Sequence, residues 1–340
     1  MDRSDLDRKA ETNLRPEQHL RVCEGDIAYN MMRMWQGAFG RAEKDGIVSP
    51  AYVVVEPRDT IDSRFAVHWF KSAQMMHLFW AYSYGLTKDR LRLYAVDFGQ
   101  IPASPPPLPE QRQIADILDA WDRAIAQIEA LTDAKRKAYR YAVVRFSEYF
   151  RQSMVEFGDL ARLVTERTRP TRPAECVELE NIESETGRVL KTSVIDCGAA
   201  QRFIFQPGDT LFGKLRPYLR KHYLANKSGL CSTEFWVLRP YACIPEMVFY
   251  AVQTPQFRAA AEIQAGSKMP RADWDLVAAM PVPVPLDKNQ QRRWAQYLQS
   301  IRAEILTLEA KRDSLLHQKR GLAQRLLGGD MPLPLRQLVE

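Results

Sequence analysis

The chain has 340 residues, of which 46% are hydrophobic and 26% charged, a composition that excludes a disordered or fibrous protein. Its formal net charge of +6 favours a polyanionic partner. The charged start, MDRSDLDRKAE, and the lack of a long apolar run predict a cytoplasmic protein with no signal peptide and no membrane span. The odd number of cysteines, without a CxxC pair, is typical of reduced thiols.

Residues 25–57 and 208–240 are similar in sequence. They align without a gap at an offset of 183, and nine of the 33 aligned pairs are identical. Conservative pairs, such as Tyr29 with Phe212 and Trp35 with Tyr218, extend the similarity. The alignment indicates a duplication, and therefore a chain that contains two copies of one structural unit.

Each copy presents the same order of local signals. A Gly-Asp turn precedes a short apolar strand, which is followed by a basic and aromatic loop and by a second turn. An alternating run, AYVVVE in the first copy and EFWVLR in the second, is typical of a strand. Helical stretches are predicted next, near residues 63–83 and 245–264. Strands followed by helices indicate an α+β domain.

A long helix is predicted after each copy. Proline-rich segments, residues 101–111 and 280–290, prevent the preceding elements from continuing as helix. Beyond them, apolar residues recur at alternating spacings of three and four, as in a coiled coil. We expect the two helices to pair as an antiparallel coiled coil; the alternative is that each packs as an amphipathic helix on its own domain. The predicted pairing residues are Ile114, Leu118, Trp121, Ile125, Ile128, Trp294, Leu298, Ile301, Ile305 and Leu308.

Polar residues interrupt both apolar patterns, Thr132 and Lys135 in the first helix and Arg312 and Lys319 in the second. Interruptions of this kind can fix the register of paired helices. Five basic residues of the helices are expected to face solvent and not to contact DNA. These residues are Arg140, Arg145, Lys319, Arg320 and Arg325.

The order of domain, proline turn and long helix, repeated once, resembles the specificity (S) subunit of type I restriction–modification systems. The resemblance is carried by Pro107-Leu108-Pro109-Glu110-Gln111-Arg112 with the apolar pairs 114–115 and 117–118, and by Gly208-Asp209 and Ser232-Thr233-Glu234-Phe235. The second helix begins differently, because Asn289-Gln290-Gln291-Arg292 stands where that family usually has a Glu-Gln pair.

The resemblance implies a DNA-reading subunit that is not itself a catalyst. Each target recognition domain would read one half of a bipartite site in double-stranded DNA. The two helices would hold the half-sites apart and dock two methyltransferase subunits, and restriction/translocase subunits would join them. No cofactor is expected in this chain, because S-adenosylmethionine and ATP with Mg would bind the partner subunits.

On this interpretation the chain has an α+β fold with two repeated target recognition domains and two long helices. The first domain is expected to be shortened, because 24 residues precede Gly25, whereas about 55 precede Gly208 in its own domain. The predicted divisions are 1–107, first recognition domain; 108–150, first spacer helix; 151–285, second recognition domain; 286–328, second spacer helix; and 329–340, tail.

Basic loops in both copies are the candidate DNA contacts. The loop 214–222 carries strong positive charges around an aromatic residue, and the segment 266–271 is small, polar and basic. Arginine and lysine bind phosphates, and arginine also binds guanine edges bidentately. The alternative for each loop is a solvated basic turn. The candidates are Lys214, Arg216, Tyr218, Arg220, Lys221, Lys268 and Arg271 in the second copy, and Arg33, Trp35, Arg41, Lys44, Lys88 and Arg90 in the first.

Enzymatic alternatives have little support in the sequence. It contains neither a glycine-rich methyltransferase turn with its Asn/Asp-Pro-Pro-aromatic loop nor a P-loop. Asp209 and Glu234 could form a nuclease metal site, but Glu234 is followed by Phe235-Trp236 instead of the usual Glu-x-Lys strand. The histidines show no ligand spacing, so no metal is expected. A second hypothesis, a coiled-coil scaffold that binds proteins instead of DNA, fits the duplication equally well.

Overall fold

The computed structural model describes residue 15 and residues 18–87, 89–198, 200–263 and 269–329. The chain divides into two compact units, residues 1–129 with 310–340 and residues 130–309. Within the described ranges, every helix is too short or too polar to cross a membrane.

The globular part of the first unit is built from short strands and helices. Its elements are β1 (Leu20–Val22), β2 (Ile27–Asn30), β3 (Phe39–Arg41), β4 (Gly46–Val48), β5 (Tyr52–Val55), α1 (Ser63–Phe70), α2 (Ala73–Ala81) and α3 (Ala95–Phe98), followed by the long helix α4 (Leu108–Tyr149). β3, β2 and β5 form an antiparallel sheet in that order, and β1 pairs with β4. Buried Tyr29, Phe70 and Phe79 belong to the apolar core of this globular part.

The second unit carries a larger set of strands. Its elements are β6 (Met154–Glu156), α5 (Phe157–Leu160), β7 (Ala161–Val164), β8 (Arg167–Thr168), β9 (Ala174–Val177), β10 (Ser193–Ile195), β11 (Arg202–Phe205), β12 (Thr210–Gly213), β13 (His222–Leu224), β14 (Gly229–Cys231), β15 (Phe235–Pro240), α6 (Pro245–Ala251), α7 (Pro255–Ala261), α8 (Trp274–Ala278), β16 (Pro281–Pro283) and the start of the long helix α9 (Lys288–Leu327). The main sheets have the orders β13-β12-β15-β7 and β10-β9-β14-β11-β8. Apolar residues of β12 and β15, including Leu211 and Val237, are fully buried.

The backbone confirms the duplication. β2, β3, β4 and the start of β5 lie at the same offset from β12, β13, β14 and β15 as the aligned sequences. Both Gly-Asp turns are closed alike, since Gly25 N–H donates to the Ala42 carbonyl (2.9 Å) and Gly208 N–H to the Ala225 carbonyl (2.8 Å). In the second unit β6 to β11 precede this shared set, whereas only β1 precedes it in the described part of the first copy.

The single helical stretches predicted near residues 63–83 and 245–264 are wrong in detail, because each is two helices. In the first copy the hydroxyl of Ser72 caps α2 by accepting a hydrogen bond from Met75 N–H (3.2 Å). In the second copy Thr254 caps α7, which begins at Pro255. Proline has no N–H for an intrahelical hydrogen bond and is favoured at the first helical position, so the chain starts a new helix there.

The long helices α4 and α9 pack against each other in an antiparallel manner within each unit. In the first unit Ile114 and Leu118 share an apolar cluster with Leu326. In the second unit Phe146 contacts Trp294, with ring centroids 5.6 Å apart. The residues predicted to pair are all buried or half-buried. The helices also contribute to the domain cores, because Ile114 packs with Phe65 and Phe146 belongs to the main cluster of the second unit.

A buried glutamine lies at each junction between domain and helix. The Gln111 side chain accepts from Asp62 N–H (2.9 Å) and donates to the Pro106 carbonyl (2.8 Å). The Gln291 side chain accepts from Ile244 N–H (3.0 Å) and donates to the Pro285 carbonyl (2.7 Å). Although its sequence differs, the second junction therefore keeps the glutamine, and Gln290 replaces the glutamate that precedes it.

Ion pairs join the two helices in addition to their apolar contacts. In the second unit Lys135 forms an ion pair with Glu304. Glu309 forms ion pairs with Arg136 (2.7 Å) and with Arg188 (3.1 Å). The Glu309 side chain is only 2% exposed, so it is a buried carboxylate shared by two guanidinium groups. In the first unit Lys319 pairs with Asp122. The expectation that Lys319 faces solvent is wrong, because its side chain is 18% exposed.

Replacing Glu309 with glutamine should lower the free energy of unfolding by about 3 kcal/mol, since removing one partner of a buried ion pair leaves the other charge uncompensated. Glu304→Gln is the matched control, because Glu304 is 53% exposed and an exposed pair contributes about 0–1 kcal/mol. Urea unfolding followed by far-UV circular dichroism measures both variants. Equal losses in the two variants would show that the buried carboxylate has no special role.

Candidate nucleic-acid interface

The basic loop of the second copy is a tight turn between β12 and β13. A 3₁₀ turn, Pro217–Leu219, lies at its tip. Arg216 and Arg220, which flank this turn, have positive φ values of 51° each. A side chain in the left-handed region costs about 1–2 kcal/mol, so surrounding contacts must hold the loop. Arg220 occupies the position of Gly37 in the first copy, which has a φ of 83°.

Neighbouring backbone holds this turn in place. Arg216 N–H donates to the Pro270 carbonyl (2.7 Å), and Ala272 N–H donates to the Lys214 carbonyl (2.9 Å). Leu215 and Arg271 form a β-bridge between the same segments. The two loops predicted separately as candidates, 214–222 and 266–271, therefore meet through the described residues 270–272.

Two side chains of this loop are available to a ligand. Arg216 is exposed and has no ionic partner among the described residues. Tyr218 is 52% exposed at the tip of the turn. Lys214 is half-buried beside them, and its charge helps to lower the pKa of Glu234. A guanidinium, an ammonium and a phenol on one strained turn can contact phosphates and the edges or faces of bases.

Other predicted residues are already engaged. Arg220 pairs with Glu185, and Lys221 Nζ donates to the Leu179 carbonyl (2.7 Å). Arg271 forms a bidentate pair with Glu234, at 3.0 and 2.9 Å. Hydrogen bonds from Arg271 hold the pKa of the Glu234 carboxyl below its usual value. Sequence reasoning did not assign Glu234 to this surface, because the two residues are far apart in the chain.

The first copy repeats part of this surface. Arg33 is exposed at the position of Arg216. Trp35, in place of Tyr218, is half-buried and donates from Nε1 to the Met32 carbonyl (3.1 Å). Arg41 is directed to α1, where its Nε donates to Ser63 Oγ (2.8 Å), while Lys44 is exposed on the turn before β4.

The second loop of the first copy requires a correction. Leu93 N–H donates to the Met31 carbonyl (2.8 Å), and this bond is the counterpart of the one from Ala272 to Lys214. Arg92 thus takes the position of Arg271, and the predicted candidate Arg90 does not. Arg90 is exposed, and Lys88 and Lys268 lie outside the described residues.

The carboxylates that could suggest a metal or nuclease site are paired with basic residues. Asp209 is 2% exposed and accepts two hydrogen bonds from Arg239, at 2.8 and 2.7 Å. Glu234 accepts two hydrogen bonds from the guanidinium group of Arg271. A separate group, His68 with Asp119 and Asp122, lies within metal-binding distances. There Asp119 pairs with Arg64 and is hydrogen-bonded to His68, and Asp122 pairs with Lys319, so these contacts explain the cluster.

His222 supports the strained turn from within the core. Its Nδ1–H donates to the Arg220 carbonyl (2.9 Å), while Nε2 is buried and has no partner among the described residues. Burial, reinforced by the charge of Arg302, lowers the pKa of His222 to about 3. The imidazole is therefore neutral near pH 7.

Residues 25–134 match the family model of the type I restriction modification DNA specificity domain. The chain is also similar in structure to the type I restriction–modification S subunit from M. genitalium, with a TM-score of 0.55, 13% identity and 93% of this chain and 86% of that chain covered. A chain from a structure on complex assembly and conformational transition of the type I R-M system gives a TM-score of 0.50, 14% identity, and 93% and 85% coverage. The HsdS subunit from Thermoanaerobacter tengcongensis gives a TM-score of 0.42 and 15% identity, with 93% of this chain and 84% of that chain covered. No curated protein sequence matches significantly.

Acidification should destabilise the protein through His222. Because the folded state has the lower pKa, the stabilisation is complete above pH 6.5 and is lost as the pH falls toward about 3. Between pH 7 and pH 5 the wild type should lose about 2 kcal/mol more than His222→Phe, which carries the first-copy residue Phe39. Urea unfolding at the two pH values gives this difference. The control His77→Phe, at an exposed histidine, should behave as wild type. If His222→Phe loses as much stability on acidification as the wild type, His222 is not the group responsible.

Proposed function

We propose that this chain selects the DNA sequence on which a type I restriction–modification system acts. Residues 25–134 match the DNA specificity domain of such systems, and the chain has the fold of a specificity subunit. The observation that carries this proposal is the duplication. Two copies of one domain present an exposed arginine beside an aromatic residue on equivalent turns, and each copy continues into a long helix. Two similar DNA-binding domains held apart by paired helices suit a DNA site made of two separated halves.

The second copy offers the more complete reading surface. Arg216 and Tyr218 project from a turn whose backbone is fixed on both sides, so little ordering would be needed on binding. Arg271, held by Glu234, presents a planar guanidinium in a fixed orientation. We assign phosphate and base-edge contacts to Lys214, Arg216, Tyr218 and Arg271.

Arg220 and Lys221 would support DNA binding by stabilising the turn, because Arg220 pairs with Glu185 and Lys221 donates to the Leu179 carbonyl. In the first copy we assign Arg33 and Trp35 to the corresponding surface, and Arg92 in place of Arg90. Arg41 and Lys44 would add positive charge beside this surface, and Lys88 and Lys268, which lie outside the described residues, stay proposed phosphate contacts.

The same proposal defines the partners. Two methyltransferase subunits would dock on the paired helices, and restriction/translocase subunits would complete the assembly. Methyl transfer from S-adenosylmethionine and ATP-driven cleavage with Mg would take place in those subunits, so this chain would act without a cofactor and without catalysis. Host and invading DNA are both found in the cytoplasm, where we expect the protein to work.

Arg216→Ala should weaken binding to duplex DNA about tenfold and reduce the slope of log affinity against log salt by about one. Fluorescence anisotropy at several salt concentrations measures both quantities. Arg162→Ala is the matched control, because Arg162 is an exposed arginine on β7, outside the two loops. If both variants bind as wild type and binding does not depend on salt, a protein-binding scaffold becomes the better interpretation.

Coexpression with the adjacent methyltransferase subunit, followed by mapping of methylated adenines, should show a split motif with a fixed gap. Arg33→Ala should then relax one half of the motif and Arg216→Ala the other, because each residue lies in a different copy. Methylation of one half-site, or of a palindrome of it, would mean that the second domain alone reads DNA. Copurification of the partner without any methylation would contradict the proposed function.

A further inference from the structure

A cavity of about 260 Å³ lies within the second unit, where α4 and α9 meet the recognition domain. Val143, Ile305 and Leu306 form an apolar part of its wall. Loop residues 184–186 and the beginning of α7 contribute polar groups. The cavity is slightly smaller than the roughly 300–1,000 Å³ typical of drug-sized ligands, so it suits a small molecule.

Guanidinium groups outnumber carboxylates in the wall of this cavity. Glu309 is shared by Arg136 (2.7 Å) and Arg188 (3.1 Å). Glu185 is shared by Arg220 and, at 3.6 Å, by Arg140. Both carboxylates of the wall are therefore already matched by two arginines each.

The two remaining arginines of the wall, Arg258 and Arg302, have no carboxylate within 4.0 Å among the described residues. Arg302 donates to the Thr186 carbonyl (3.1 Å) and lies over the Phe249 ring, 4.5 Å from its centroid. Arg258 is half-buried, and burial together with the nearby charge of Arg220 lowers its pKa. Glu185 and Glu262 offset part of the Arg258 charge, but neither forms an ion pair with it. A positive charge without an ion-pair partner in such a place is costly to the folded state.

One hydrogen-bond donor of the cavity wall is unsatisfied. The Nε–H of Arg136 is buried and has no acceptor among the described residues. Buried donors are nearly always satisfied in folded proteins, so such an atom in a cavity wall points to a missing acceptor. The cavity thus combines excess positive charge, an unused donor and an apolar surface.

We propose that this cavity binds a small oxyanion, a molecule that carries a phosphate or carboxylate group, with Arg258 and Arg302 as the binding charges. Guanidinium forks match the geometry of both groups. The apolar side formed by Val143, Ile305 and Leu306 would hold the body of the molecule. A ligand here would bridge the recognition domain and both helices, and would stabilise that junction.

Titration of the full chain with sodium phosphate and sodium malonate, against sodium chloride at equal ionic strength, tests the site. We expect at least one of the two oxyanions, near a hundredfold excess over its Kd, to raise the melting temperature by about 3 °C. Arg258→Gln and Arg302→Gln should each weaken that effect at least tenfold, measured by calorimetric titration. Arg162→Gln, at an exposed arginine outside the cavity, is the matched control and should respond as wild type.

Melting of the variants without added anion separates a lost ligand from a damaged fold. Arg258→Gln removes a half-buried charge that has no ion-pair partner, so its melting temperature without oxyanion should equal or exceed that of wild type. Equal responses to chloride and the oxyanions, or an unchanged response in both cavity variants, would overturn the proposal. So would a loss of duplex DNA affinity in Arg258→Gln with no oxyanion binding in wild type, because the cavity would then serve the nucleic acid.

Discussion

A buried glutamine holds each globular domain to the helix that follows it. Gln111 and Gln291 each accept a backbone N–H from the cap of the domain's own helix and donate to a carbonyl of the proline segment. Loss of these partners would leave a buried amide unsatisfied, at a cost of about 1–3 kcal/mol. Each domain therefore keeps one orientation relative to its helix. The proposed function, in which loops of the domain contact DNA and the helix docks partner subunits, depends on this fixed junction.

The loop 214–222 of the second copy depends on a second constraint, which acts on the backbone. Arg216 and Arg220 adopt conformations that glycine would reach without strain, as Gly37 does in the first copy. The turn persists because neighbouring groups hold it: the Pro270 carbonyl binds Arg216, Glu185 binds Arg220, and His222 donates to the Arg220 carbonyl. The strain is offset by contacts outside the turn, and the exposed side chains are presented by a rigid frame.

The sequence predicted the duplication, the α+β fold and the paired helices, because repeats and helical periodicity are local patterns that survive in a single chain. It did not predict the interruption of the helical stretches, where Ser72 and Thr254 act as caps. Nor did it predict partners distant in the chain. Arg271 was predicted as a DNA contact without its partner Glu234, and Arg92 was not among the predicted contacts. Such pairings depend on the tertiary structure, which brings separate segments together.

The two copies share a backbone but differ in the groups that this backbone presents. Where the second copy has Glu234 to hold Arg271, the first has Ala51, and Arg92 instead contacts the hydroxyl of Tyr94 (3.5 Å). Where the second copy has Lys214, the first has Met31. Base recognition depends on the donors and acceptors presented to the DNA. Under the proposed function the two domains would therefore read different half-sites, and the split site would be asymmetric.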